Sequence, residues 1–241
     1  MKLISSLAMV TALTVLGLAP ARLRAADEDG VALAIIYDTS GSMRDVVPDQ
    51  NGHPTPKYVI ANRALSAVAR QIQAFATNGP AGTPRKIYTG LFVFHAEQGR
   101  EALKFGPFDA AALQDWAAHF SSPSGNTPLG NALHAAGRTV LNAPLSRKHV
   151  LIITDGMNTA GPKPEEVLPR LQRQAAAKQA VLSVHFIAFD VNASVFNPVK
   201  RLGATVVGAA NESQLNSQLD YILQRKILLE DEEPPKKATA K

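Results

Sequence analysis

The chain contains no cysteine among its 241 residues, which excludes disulfide bonds, thiol catalysis and lipid attachment to an N-terminal cysteine. Aromatic residues are scarce, at 6% of the sequence, and none are interleaved with a basic block in the manner of nucleic-acid-binding segments. With 46% hydrophobic and 19% charged residues, the composition suits one globular domain that relies on its own core. We therefore expect no nucleic-acid partner.

The N-terminal segment has the order of charges and apolar residues that is typical of a secretory signal. Lys2 is followed by an uncharged apolar run over residues 3–19, then by Pro20 and a stretch of small residues. We expect residues 1–25 to be a signal peptide cleaved after Ala25, with Ala21 as the second choice. A retained membrane anchor is the alternative, because the apolar run is at the short limit for a membrane span.

Export follows from the signal interpretation. The protein is expected in the periplasm or outside the cell, without stable membrane insertion after cleavage, because no second long apolar run follows. Cleavage would remove three of the 25 basic residues and none of the 20 acidic ones, which lowers the formal charge from +5 to +2. That small excess gives no electrostatic argument for binding nucleic acid.

Apolar periodicity predicts strands that alternate with helices across residues 30–229. The run 31–37 is apolar throughout, as in a strand buried on both faces, and an apolar stripe at helical spacing covers 61–75. Further strands are predicted at 87–94, 149–154, 181–189 and 204–208, with helices at 108–120, 128–141, 164–178, 198–202 and 212–229. This alternation indicates an α/β fold: a doubly wound, mostly parallel sheet with helices on both faces.

Three shorter segments complete the organisation. Residues 45–56 are rich in Asp, Asn, Gly and Pro and are predicted to be a loop. Residues 102–105 are predicted to be a small antiparallel edge strand. Residues 230–241 carry charges of both signs and a Pro-Pro pair, which predicts a disordered charged tail.

Hydroxyl and carboxylate side chains recur at the ends of predicted strands and the starts of predicted helices. They stand in the segments 38–42, 125–130 and 154–156. Each segment alone is equally typical of a turn or a helix cap. In a doubly wound sheet, however, all three can meet at the carboxyl edge of the strands, where such folds bind ligands.

The side chains that would meet there carry oxygen only. They are Asp38, Ser40, Ser42, Thr127 and Asp155. Oxygen donors without nitrogen or sulfur favour a hard cation, so the expected metal is Mg²⁺, with Mn²⁺ and Ca²⁺ as alternatives. The histidines, including His149 and His185, are given no ligand role because no partner at a useful spacing appears.

These motifs closely resemble a known metal site. The segments Asp38-Thr39-Ser40-Gly41-Ser42-Met43, Thr127-Pro128-Leu129-Gly130 and Thr154-Asp155-Gly156 are similar to the metal-ion-dependent adhesion site of von Willebrand factor A (vWA) domains and integrin inserted domains. The resemblance extends over 31–229 in the order of strands and helices. It implies direct coordination by Ser40 and Ser42, direct or water-mediated coordination by Thr127, and mostly water-mediated contact by Asp38 and Asp155.

The resemblance implies a binding module rather than an enzyme. A cation held by neutral hydroxyls stays electron-poor, so a partner protein is expected to complete its shell with an Asp or Glu side chain. Two alternatives stay open from the sequence. One keeps the fold but makes the chain a subunit of a metal-dependent assembly or chelatase-like machine. The other is an aspartic peptidase, suggested by Asp38-Thr39, although serine rather than glycine follows and the fold pattern is not all-β.

Overall fold

The computed structural model describes residues 27–79 and 83–229, and a six-stranded sheet forms their centre. The strands are β1 (Glu28–Tyr37), β4 (Ile87–His95), β5 (Gln98–Pro107), β6 (Leu145–Thr154), β7 (Leu182–Phe189) and β8 (Thr205–Ala209). Their order is β5-β4-β1-β6-β7-β8, and every neighbouring pair is parallel except β4 with β5. The predicted fold class is therefore confirmed. The predicted signal peptide, 1–25, and tail, 230–241, lie outside the described residues.

Helices cover both faces of the sheet. They are α1 (Lys57–Thr77), α2 (Ala110–His119), α3 (Leu129–Asn142), α4 (Pro164–Ala177), α5 (Asn197–Arg201) and α6 (Glu212–Ile222), with a π-helical segment Leu223–Leu228 continuing α6. Short 3₁₀ turns occupy Gly41–Arg44 and Ala193–Phe196. None of the helices in the described ranges is long and apolar enough to cross a membrane.

Alternation along β1 divides the core into two layers. Leu33, Ile35 and Tyr37 point into the layer shared with α1, α2 and α6, whereas Ala34 and Ile36 point into the layer shared with α3 and α4. All are at most 1% exposed, as expected for a strand with helices over both of its faces. Because β1 is buried on both faces, its C-terminal end has a fixed position in the sheet, and so have the residues that follow it.

The structure differs from the sequence prediction at one loop and one strand. A two-stranded antiparallel ribbon, β2 (Val46–Pro48) with β3 (Pro54–Pro56), lies within the predicted loop 45–56. The edge strand β5 spans ten residues rather than four, because a tight turn after β4 keeps it paired antiparallel along nearly its whole length. Neither difference alters the edge of the sheet at which β1, β6 and β7 end.

Candidate metal centre

Asp38 follows the last residue of β1 and is completely buried. Its backbone N–H donates to the Ile153 carbonyl at 3.0 Å. One carboxylate oxygen, Oδ1, accepts the backbone N–H of Ser40 at 2.8 Å, and Oδ2 accepts the Thr154 hydroxyl at 2.6 Å. Asp38 thus joins the ends of β1 and β6, the two central strands.

The loop after Asp38 turns sharply and is anchored on both sides. The Thr39 hydroxyl donates to the Phe94 carbonyl and accepts the Phe94 N–H, both at 3.1 Å, which ties it to the end of β4. Met43 is fully buried in the core. Between these anchors the hydroxyl oxygens of Ser40 and Ser42 lie 3.1 Å apart, with Ser42 at the exposed edge of the cluster.

Gly41 has neither a positive φ nor a close backbone approach that would require glycine. Its backbone is outside the left-handed region, and an added Cβ would meet the Gly125 carbonyl oxygen at 3.8 Å, which is ordinary contact. Its N–H donates to that same carbonyl at 3.1 Å. The contact links the first predicted segment to the second.

Asp155 follows β6, and both of its oxygens are engaged. Oδ1 accepts a hydrogen bond from the Ser42 hydroxyl at 2.8 Å, and Oδ2 accepts one from the Lys57 ammonium at 3.0 Å. The carboxylate is completely shielded from solvent. Ser40, Ser42 and Asp155 therefore form one continuous chain of polar contacts, although 113 positions separate the last two in sequence.

Thr127 lies just before α3, and its hydroxyl is on the same side as that of Ser42. A Cβ added to Gly156 would lie 3.8 Å from the Thr127 hydroxyl oxygen and 4.0 Å from that of Ser42, so the two hydroxyls face one spot. The Thr127 backbone is held from the other side: its N–H donates to the Thr159 hydroxyl at 2.8 Å, and its carbonyl accepts the Thr159 N–H at 3.0 Å. The N-cap residue of α3 is Pro128, without a side-chain cap hydrogen bond, so Thr127 does not cap this helix.

Gly130 lets the start of α3 press against the loop after Asp155. Its N–H donates to the Asn158 side-chain oxygen at 3.0 Å. An added Cβ would lie 2.0 Å from the Pro162 carbonyl oxygen, far inside van der Waals contact. Only glycine fits there, so Gly130 allows the start of α3 to pack directly against the loop that follows Asp155.

Burial and a neighbouring negative charge change the acidity of Asp38. Loss of solvent raises its pKa from 3.8 to about 6, and the Asp155 carboxylate adds to the rise, while hydrogen bonds from Ser40 and Thr154 oppose it. Two carboxylates held close together in a buried position favour a compensating cation. Part of that compensation comes from Lys57.

Lys57 and Asp190 were missed in the sequence analysis. Asp190 follows β7 just as Asp38 follows β1 and Asp155 follows β6, so the strand-end rule could have found it. Lys57 opens α1 and gave no signal, because a lone lysine beside a proline-rich loop is ordinary. Its ammonium lies 3.0 Å from a carboxylate oxygen of Asp190 as well as from Asp155.

His149 and His185, for which the sequence showed no partner at a useful spacing, contact each other across two neighbouring strands. They occupy the parallel neighbours β6 and β7, and their rings stack with Nδ1 of His149 3.3 Å from Nε2 of His185. Both are buried within the sheet layer.

Across residues 27–79 and 83–229, no group of three or more His, Asp or Glu side chains is arranged to hold a metal ion.

The donor set at the sheet edge fits a hard divalent cation. Three hydroxyls and two carboxylates converge on it, with only oxygen atoms available. Mg²⁺ prefers such donors and keeps part of its water shell. Burial, and after it the charge of Asp155, raises the pKa of Asp38, and a bound cation would offset this cost of holding the carboxylate ionised.

Comparison with known proteins identifies the fold. No protein-family model and no curated protein sequence matches the chain. Among solved structures, it is similar to the vWF domain of the type V pili tip protein Mfa5 from Porphyromonas gingivalis, with 14% identity and a TM-score of 0.57 over 81% of this chain and 94% of that one. At such identity the likeness shows the fold alone, which is vWA-like.

Two longer proteins share the fold. The PilB minor pilin from Streptococcus sanguinis is 15% identical with a TM-score of 0.56, and 81% of this chain covers 61% of that one. Proximal thread matrix protein 1 from the mussel byssus, with a zinc-occupied metal-ion-dependent adhesion site, is 14% identical with a TM-score of 0.54, and 82% of this chain covers 48% of that one. The present chain therefore spans about half to two thirds of these two proteins.

Proposed function

We propose that this chain is a non-enzymatic binding module that engages a partner protein through a divalent cation. The ion would be held by Asp38, Ser40, Ser42, Thr127 and Asp155, with Mg²⁺ as the first candidate and Mn²⁺ or Ca²⁺ as alternatives. The observation that carries the proposal is the continuous contact from Ser40 through Ser42 to Asp155, drawn from two distant loops. A divalent metal in a vWA fold is made plausible by the zinc-occupied site of the mussel protein.

The division of roles follows from what each side chain already contacts. Asp38 uses both oxygens to hold Ser40 and Thr154, so it orients the loop and would reach an ion mainly through water. The hydroxyls of Ser42 and Thr127 face one spot, and that of Ser40 lies 3.1 Å from Ser42. Ser40 and Ser42 would be direct ligands, and Thr127 would coordinate directly or through water. When bound, the cation supplies a point of positive charge at the protein surface.

The expected partner group is a carboxylate. Direct ligands that are neutral leave a divalent cation short of negative charge, and an Asp or Glu side chain is the hard oxygen donor that a protein can offer. Ser42 lies at the exposed edge of the cluster, so an approach from solvent is open on that side. The predicted export signal would place this encounter in the periplasm or outside the cell.

The two alternatives from the sequence are weighed by the same contacts. An aspartic peptidase needs two carboxylates that share a proton. Here Asp38 and Asp155 each use both oxygens for other donors, in a parallel α/β sheet. A subunit of a metal-dependent machine would use the same site, and a stable complex with an ATPase after affinity capture would favour it over an adhesive role.

Affinity capture with the full chain tests the proposal. The immobilised protein is exposed to the exported fraction with Mg²⁺, and the retained protein is eluted with chelator, identified and purified. Its affinity is then measured against the parent and against Asp38→Ala, each with Mg²⁺ and with chelator. We expect tight binding only for the parent with Mg²⁺, and loss of binding when the partner's contacting Asp or Glu is changed to Asn or Gln.

Equal affinity in all four conditions would mean that the partner docks elsewhere, and the metal-dependent function would then be wrong. Asp29→Asn serves as the control variant. It removes an exposed carboxylate at the opposite end of β1, so its binding should match that of the parent.

A further inference from the structure

Lys57 is a buried lysine placed directly behind the candidate metal centre. It is the first residue of α1 and only 5% exposed. Its ammonium lies 3.0 Å from Oδ2 of Asp155, 3.0 Å from Oδ2 of Asp190 and 3.8 Å from Oδ2 of Asp45. These three carboxylates come from three different segments of the chain, so the lysine joins β6, β7 and the loop before β2.

This position is unfavourable for a lysine unless the carboxylates compensate it. The N-terminus of a helix carries a partial positive charge, which repels a cation in the first turn. Burial alone lowers the pKa of Lys57, but the hydrogen bonds and charges of Asp155 and Asp190 more than offset it, and the pKa is raised. Two carboxylate oxygens, each 3.0 Å from the ammonium, hold the lysine there in its charged form.

The contact with Asp155 connects Lys57 to the metal centre. Asp155 offers Oδ1 to Ser42, on the side of the candidate ligands, and Oδ2 to Lys57, on the opposite side. One carboxylate group thus separates the ammonium from the place proposed for the cation. Two positive charges would share the same carboxylate.

We propose that Lys57 is an internal counter-ion that compensates the Asp155 carboxylate of the metal-free centre and lowers the affinity of the centre for a divalent cation. This inference rests on the proposed function. The lysine stabilises the ion-free protein, because it compensates Asp155 and Asp190 when nothing else does. It weakens ion binding, because the ammonium and the cation would lie on two sides of the same Asp155 carboxylate, and like charges at that separation repel each other even at high dielectric. The centre would therefore bind its ion reversibly.

Titration of the full chain with Mn²⁺ tests the inference through the affinity for the ion alone. Free Mn²⁺ is followed by electron paramagnetic resonance for the parent, Lys57→Met, Lys57→Gln and Lys57→Arg. Met and Gln remove the charge, while Gln keeps an N–H donor for Asp155 and Arg keeps the charge. We expect the two neutral variants to bind Mn²⁺ about tenfold more tightly than the parent, and the Arg variant, which keeps the charge, to stay closer to the parent than either of them.

Stability in chelator provides the second readout. Lys57→Met should melt at a lower temperature than the parent, because Asp155 and Asp190 lose their counter-ion. Lys148→Met is the matched control. Lys148 is 1% exposed, lies on β6 far from its carboxyl end, and donates to the Ala143 and Leu145 carbonyls. Its loss should lower the melting temperature and leave the Mn²⁺ affinity unchanged.

The outcomes separate this inference from the proposed function. If the parent binds Mn²⁺ and the neutral variants bind it equally or more weakly, the counter-ion role is wrong while the metal site stands. If only the neutral variants bind, the counter-ion role holds and the native metal-dependent function falls. If neither binds, both are wrong. Should Lys57→Met fail to fold by circular dichroism, Lys57→Gln decides the result.

Discussion

The buried carboxylate of Asp38 should make the metal-free protein less stable as the pH rises. In the folded protein its pKa is raised from 3.8 to about 6 by burial and by the charge of Asp155. The folded state therefore holds this proton more tightly than the unfolded state does. Stability should fall as the pH increases from about 4 to about 6 and stay at the lower value above that.

The size of the effect follows from the two pKa values. A rise from 3.8 to about 6 corresponds to about 3 kcal/mol of unfolding free energy once Asp38 is fully ionised. Asp38→Asn removes the ionisation and keeps an oxygen and a similar shape. In chelator, the variant should gain about 3 kcal/mol relative to the parent between pH 4 and pH 7.

Urea unfolding in chelator at a series of pH values measures this difference directly. Subtracting the unfolding free energy of the parent from that of the variant cancels the contributions of other groups that titrate in the same range, provided that they are independent of Asp38. Asp29→Asn, an exposed carboxylate at the other end of the same strand, should follow the parent at every pH. A difference between parent and Asp38→Asn that does not change with pH would refute the reasoning.

Two further substitutions test the candidate centre and its frame. Ser42→Ala should abolish the rise in melting temperature on adding Mg²⁺, because a proposed ligand is lost. With chelator present, loss of the hydrogen bond to the buried Asp155 carboxylate should cost about 2 kcal/mol. Calorimetry with and without Mg²⁺ checks both, and a parent-like response to Mg²⁺ would contradict the ligand role. Gly130→Ala should destabilise the fold by about 2 kcal/mol or more, because the added Cβ would collide with the Pro162 carbonyl. Gly106→Ala is the control, since open space surrounds that position. Its free energy of unfolding in urea should stay within about 0.5 kcal/mol of that of the parent. Similar losses at both glycines would show that Gly130 is not a packing constraint.

Much of the fold could be predicted because its strands are buried on both faces. Residues 31–37 and 149–154 are uniformly apolar or nearly so, and such runs occur where helices cover a parallel sheet on each side. The ribbon β2–β3 and the length of β5 could not be predicted in this way. Both depend on backbone pairing across short turns, and their side chains alternate too little to mark them.

The five candidate site residues were predicted because strand ends in such a sheet meet at one edge. The structure brings Asp38, Ser40, Ser42 and Asp155 into one hydrogen-bonded group and turns Thr127 toward it. Their role as metal ligands stays a prediction. Lys57 could not be predicted, because its importance comes from contacts with Asp155 and Asp190, which lie 98 and 133 positions further along the chain. No local sequence pattern encodes such contacts.

The most direct test of the central claim is the binding of Mn²⁺ by the full chain, counted by electron paramagnetic resonance. The parent should bind one ion per chain, and a Ser40→Ala, Ser42→Ala double variant should bind it at least about tenfold more weakly, because two proposed direct ligands are gone. The matched control removes Ser213 and Ser217, an exposed pair on α6, and should bind like the parent. Absence of binding by the parent, or equal binding by all three proteins, would contradict a metal centre at this edge of the sheet.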